Sequence, residues 1–92
     1  MAETKALFIP LRTEWFRKFE DGSKDTEYRV YGPRWNERTC FIGRPAVLAH
    51  GYGHPRLNRT VSSFKVLRRW KAPKAAREIF PHALLIAAIG LR

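Results

Sequence analysis

The sequence predicts a small α+β domain, a β-barrel of about five or six strands carrying two short helices. Three observations carry that prediction. Short β-rich runs recur along the chain between Gly and Pro punctuation, and two segments space their apolar residues as helices do. Ninety-two residues leave room for one domain only, residues 1–92. A chain this short buries only about 60–65% of its unfolded surface. Three Trp, three Tyr and six Phe thicken the thin core that results.

The elements follow in order. Ala6–Leu11 is an apolar run read as the first strand, with Pro10 near its end, where a missing N–H is tolerated. Thr13 is the expected cap of a helix, TEWFRKFED, with Trp15, Phe16 and Phe19 at helical spacing and Gly22 as its stop. Phe16 and Phe19 are core positions, whereas Trp15 stands where it can line the mouth of a site. Thr26–Tyr31 is the second strand, broken by Gly32-Pro33, and Arg34–Arg38 forms a short helical turn or loop. Arg44–His50 is a third strand running into an irregular segment, Gly51–Pro55. Thr60–Trp70 is predicted to be the longest strand. Pro73 opens a second helix, PKAAREIF, which Pro81 ends. Ala83–Leu91 closes the fold as a buried strand.

Net charge is +10 and unevenly spread. Residues 1–37 balance seven Lys/Arg against seven Asp/Glu, while residues 38–92 set eleven against the single acid Glu78. Such asymmetry reads as a surface facing a polyanion, and interleaved aromatics favour nucleic acid over a solubilising coat. An anionic membrane is not expected as partner, because no stretch joins a strong helical moment to a basic face, and the longest apolar run, Ala83–Ile89, is far short of the roughly 20 residues a span needs. The start, MAETKALFIPLR, has no basic segment followed by a long apolar run, so it is not read as a secretory signal. Cys40 is the only cysteine, which excludes an internal disulfide and a thiolate zinc cluster and fits a reducing, cytoplasmic setting. Nothing calls for a cofactor.

Chemistry concentrates in residues 22–29, GSKDTEYR. Strand alternation sends Glu27, Arg29 and Tyr31 to one face and Tyr28 and Val30 to the other. Lys24, in the preceding turn, leans over the same mouth. Two cations and a carboxylate placed so closely make either a structural ion cluster or a polar site.

With this layout the chain resembles the ASCH family (activating signal cointegrator homology domains), a branch of the PUA-like superfamily. The motif G-x-K-x-x-E-x-R carries the resemblance, here Gly22, Lys24, Glu27 and Arg29, set between an aromatic helix and a strand. An apolar first strand, a middle strand entering a polar loop, a long β segment and a closing strand extend it over nearly the whole chain. The resemblance implies a PUA-like barrel with a cleft, lined by the motif, suited to RNA or a nucleobase. Relatives are associated with RNA binding, with transcription- or translation-linked roles, and in some cases with nuclease or acetylcytidine amidohydrolase activity. The amidohydrolase branch looks like G-x-K-x-x-T, with a Thr nucleophile where this chain has Glu27. Thr26 is one residue away, which on a strand means the opposite face.

Within this frame Lys24 and Arg29 are candidates for binding phosphate, Arg for its planar two-pronged fork, and Glu27 for accepting hydrogen bonds from a base edge. If the protein cleaves RNA without a metal, Lys24, Glu27 and Arg29 are the catalytic set: Glu27 takes the proton of the ribose 2′-hydroxyl, and a cation stabilises charge on the phosphate. The two cations beside Glu27 weaken it in that role. Tyr31, Trp35 and Tyr52 are the candidate stacking platforms, the alternative being that they cover the core. Arg34, Arg56, Arg59, Lys65, Arg68 and Arg69 are candidates for tracking a phosphate backbone, with Lys71 and Lys74 continuing the stretch; the alternative is a solvated face. His50 and His54 lie in a segment that is not helical and lack a third ligand, so no metal site is assigned. Ser62 and Ser63 lack the partners of a hydrolase triad. The expected function is therefore an RNA-binding or single-stranded nucleic-acid-binding module. A metal-independent ribonuclease comes second, and amide hydrolysis of a modified nucleoside ranks lower. A domain presenting its basic face to an acidic protein is a further alternative.

Overall fold

The computed structural model describes residues 4–92. Its elements are β1 (Leu7–Leu11), α1 (Thr13–Glu20), β2 (Thr26–Val30), β3 (Pro45–His50), β4 (Gly53–Arg68), a single 3₁₀ turn (Arg69–Lys71), α2 (Lys74–Ile79) and β5 (Leu85–Leu91). The five strands form one sheet in the order β1-β3-β4-β5-β2, curled into a half-barrel. β1 runs parallel to β3, and the other pairings are antiparallel.

The barrel does not close, because β1 and β2 stand at opposite ends of the strand order. What holds the sheet together is β4. Its first half, to Thr60, pairs with β3, and its second half, from Val61, pairs with β5. The exchange of partners falls at a register shift between Val61 and Ser63. There Gly90 of β5 leaves the room that a Cβ would take to the Ser63 hydroxyl.

One face of the sheet is covered by α1. Phe16 and Phe19 are buried to 2% exposure among Ile9, Leu48, Val61 and Ile89. Each such ring contributes about 1.5–3 kcal/mol of transfer free energy. α2 packs on β5 in a second cluster, where Ala72, Ala76 and Ile86 meet Tyr28 and Phe80. β5 is thus buried on both faces, the condition its unbroken apolar run foreshadows.

Two local expectations change. Thr13 is not the cap of α1: Arg12 holds that place without a side-chain bond, and the Thr13 hydroxyl instead shares a 2.6 Å hydrogen bond with Nε2 of His50. The segment Gly51–Pro55 is irregular only at Gly51-Tyr52, since Gly53, His54 and Pro55 already belong to β4. Gly51, at φ 65°, lets a tight turn join β3 to β4. Gly22, at φ 83°, ends α1 as predicted, its N–H reaching the Phe19 carbonyl at 3.3 Å. Among the described residues no helix is long and apolar enough to cross a membrane.

Candidate functional site

The open seam between β1 and β2 is where a cleft forms. It encloses about 310 Å³. The end of β1 supplies Pro10, Leu11 and Arg12, α1 supplies Trp15, and α2 closes the far side with Pro73, Ala75, Ala76, Ile79 and Phe80. The polar groups come from the turn and strand after α1: Lys24, Glu27, Tyr28 and Arg29. The walls are therefore largely apolar, and charge is confined to one end.

That charged end is a three-membered cluster. One oxygen of Glu27 accepts from Nε of Arg29 at 2.9 Å, and its other oxygen lies 3.8 Å from Nζ of Lys24. Glu27 is the one charged residue that is buried among those described, at 7% exposure, while the Lys24 and Arg29 side chains keep 17% and 19%. A buried carboxylate is tolerable only when paired and hydrogen-bonded, as this one is. Strand alternation explains the pairing, because Glu27 and Arg29, two apart on β2, share a face.

Arg29 also spans the seam. Its Nη2 donates to the Pro10 carbonyl at 2.6 Å, tying two strands that share no ladder. Trp35 lies against the guanidinium, its ring centre 4.8 Å away. Lys24 is enclosed differently, with its ammonium about equidistant from three rings: Trp15 at 5.0 Å, Tyr28 at 5.3 Å and Phe19 at 5.6 Å. Such contacts are worth about 0.5–2 kcal/mol each. Burial pushes the Lys24 amine below its usual lysine value, the Glu27 carboxylate opposes that shift, and Lys18 adds to it. Burial likewise pushes the Tyr28 phenol up, with a smaller push from Asp25.

The structure gathers Lys24, Glu27 and Arg29 at one cleft, with Trp15 on its lining as the sequence suggested, and leaves the other candidate residues outside it. Trp35 is no stacking platform: it is 8% exposed and belongs to the core, with Arg29 and Arg34 against its ring. Tyr31 packs on Phe64 and donates its hydroxyl to Glu37 at 2.6 Å, so the strand face it was expected to share with Arg29 ends before it. Tyr52 is 77% exposed at the β3–β4 turn, tilted against Phe8, whose ring Arg56 covers. Arg59 is partly buried and donates to the Phe19 carbonyl at the end of α1, so it serves the fold where a backbone-tracking role was expected. Lys65 and Arg68 lie exposed on β4, Arg68 over the Trp70 ring, and Arg69 follows in the 3₁₀ turn.

Sequence reasoning missed the α2 wall and the part played by Pro10 and Arg12. Its signal was present in PKAAREIF, where Ala76 faces the core and Ile79 is 44% exposed, one helical turn apart. His50 is occupied by Thr13 and stacks on Phe16 at 5.5 Å, and His54 is exposed on β4. Among the described residues no three His, Cys, Asp or Glu side chains come together as metal ligands. Neither a family model nor a curated protein matches this chain.

Proposed function

We propose that the protein binds single-stranded RNA and seats one base in the cleft between β1, β2 and α2. In this reading it is an ASCH-type module of the PUA-like class, working in the cytoplasm. The observation that supports it best is the cleft itself, which pairs aromatic walls with a charged floor. Its volume of about 310 Å³ lies at the low end of the usual ligand-pocket range of about 300–1,000 Å³. Trp15 and Tyr28 offer rings to a flat guest, and base–aromatic stacking is worth about 1–3 kcal/mol per base. The exposed cations Arg56, Lys65 and Arg68 add sequence-independent attraction for the phosphate backbone.

Binding is favoured over cleavage. Both Glu27 oxygens already face cations, so the carboxylate is poorly placed to accept a ribose proton. Amide hydrolysis is less favoured still, since Thr26 lies outside the cleft and donates its hydroxyl to Asp25. Filter binding of a labelled single-stranded RNA over a salt series tests the reading. Affinity is expected to fall steeply as salt rises, and absent or salt-insensitive binding would overturn it. Incubating the same RNA with wild type and Glu27→Gln in EDTA tests the ribonuclease: cleavage lost only in the variant would replace binding with catalysis.

A further inference from the structure

We infer that the cleft reads the carbonyl edge of a base, accepting uracil or guanine and disfavouring cytosine and adenine. This rests on the base-binding role proposed above and adds the class of base. The argument is an account of hydrogen-bond partners at the charged end.

Glu27 is the carboxylate acceptor there, shared between two cations, with its Oε1 left without a hydrogen bond among the described residues and not sealed from solvent. One oxygen takes Nε of Arg29, the other faces Lys24, and the residue is 7% exposed. The Pro10 carbonyl, the nearest main-chain acceptor that the cluster engages, takes Nη2 of Arg29. Donors remain. Among the described residues Nη1 of Arg29 has no protein partner, and it is not sealed from solvent, because no buried side-chain nitrogen is left unpaired. The Lys24 ammonium carries three N–H bonds and has one carboxylate oxygen, at 3.8 Å, to receive them. Arg12 and Trp15, also on the lining, carry donors and no side-chain acceptor, and the Tyr28 hydroxyl can do either.

A guest must satisfy donors that outnumber the acceptors at a partly desolvated end, and an amino group presented there would have to compete with two cations for Glu27 Oε1 or turn to the Tyr28 hydroxyl. Uracil O4 and guanine O6 are acceptors at the position where cytosine N4 and adenine N6 are donors, while N7 accepts in both purines. Arg and Lys pair with the acceptor edges for the same reason in known base readout.

Uracil and cytosine have nearly the same size and differ at this edge, so the unphosphorylated ribohexamers U6 and C6 isolate it. Titrating both against the wild-type protein, followed by tryptophan fluorescence at fixed salt, should show U6 binding about tenfold tighter. Arg29→Lys keeps the charge and removes the fork, and should shrink that ratio chiefly by weakening U6. The wild-type comparison stands even if this variant folds poorly. Equal affinities, or tighter binding of C6, would overturn the inference while leaving base binding intact. Failure of both hexamers to bind would overturn the base-binding role and this inference with it.

Discussion

Two ion pairs in this molecule have the same length and different surroundings. Lys24 and Glu27 are 3.8 Å apart in the cleft with side chains 17% and 9% exposed, and Lys74 and Glu78 are 3.8 Å apart on α2 at 81% and 66%. Distance alone would rank them equal. Burial separates them, because water screens the second pair and lets its long side chains wander, while the first is held by rings and by Arg29. The same contrast divides the cations of the described residues into those the fold has fixed and those left in solvent.

The sharpest way to break the comparison is Glu27→Ala. It leaves Lys24 and Arg29 facing each other without compensation, and losing one partner of a buried pair costs about 3–5 kcal/mol. Both cations keep a partial route to solvent, so a loss of about 3 kcal/mol is expected in urea denaturation. A loss under about 1 kcal/mol would mean the cluster is as loose as a surface pair. Trp15→Leu comes next. It keeps the wall apolar and removes the stacking ring, so RNA affinity should fall about tenfold. Arg56→Ala, at an exposed cation, should leave stability within about 0.5 kcal/mol and lower the slope of log affinity against log salt by about 0.7. If the two variants weaken RNA binding alike, the cleft has no special part in it.

The next effect is one of pH. Burial lowers the Lys24 amine from its ordinary 10.5. Between the lowered folded-state value and 10.5 the unfolded chain holds a proton that the folded chain has released, so stability rises with pH across that window. Comparing wild type with Lys24→Met removes the lysines common to both. The wild type should gain on the variant as pH climbs toward 10.5, and a constant difference would show that the ammonium is not desolvated.

The strands, helices and motif cluster were legible because they depend on local pattern. Alternation put Glu27 and Arg29 together, and Gly22 and Pro73 marked helix limits. What could not be read was which cations the fold consumes. Arg29, Arg44, Arg59 and Arg77 each donate to main-chain carbonyls, at Pro10, Thr39, Phe19 and Ala72. A count of Arg and Lys treats these like Lys65, which is exposed. Local pattern leaves Trp35 between platform and core for a related reason. Its neighbours Arg34 and Asn36 suggest surface, yet Asn36 folds the loop over it by bonding the Gly32 carbonyl at 2.8 Å and accepting the Thr39 N–H at 3.1 Å. The cleft was beyond local pattern altogether, since it exists only because α2, fifty residues after Lys24, packs beside the seam.

The smallest expected effect returns to the exposed pair. Lys74→Ala should cost about 0.3–0.5 kcal/mol at low ionic strength, the usual worth of an i,i+4 pair. Because a screened pair loses its Coulomb attraction first, the difference from wild type should vanish in about 1 M salt, where the Debye length is near 3 Å. Glu27→Ala in the same salt should keep most of its cost, since the charges it strands are shielded by protein and not by ions. Thermal melts of both variants at low and high salt measure the two responses side by side. Parallel responses would mean that burial does not distinguish the pairs, and the cleft cations would then be as free to meet solvent as those of α2.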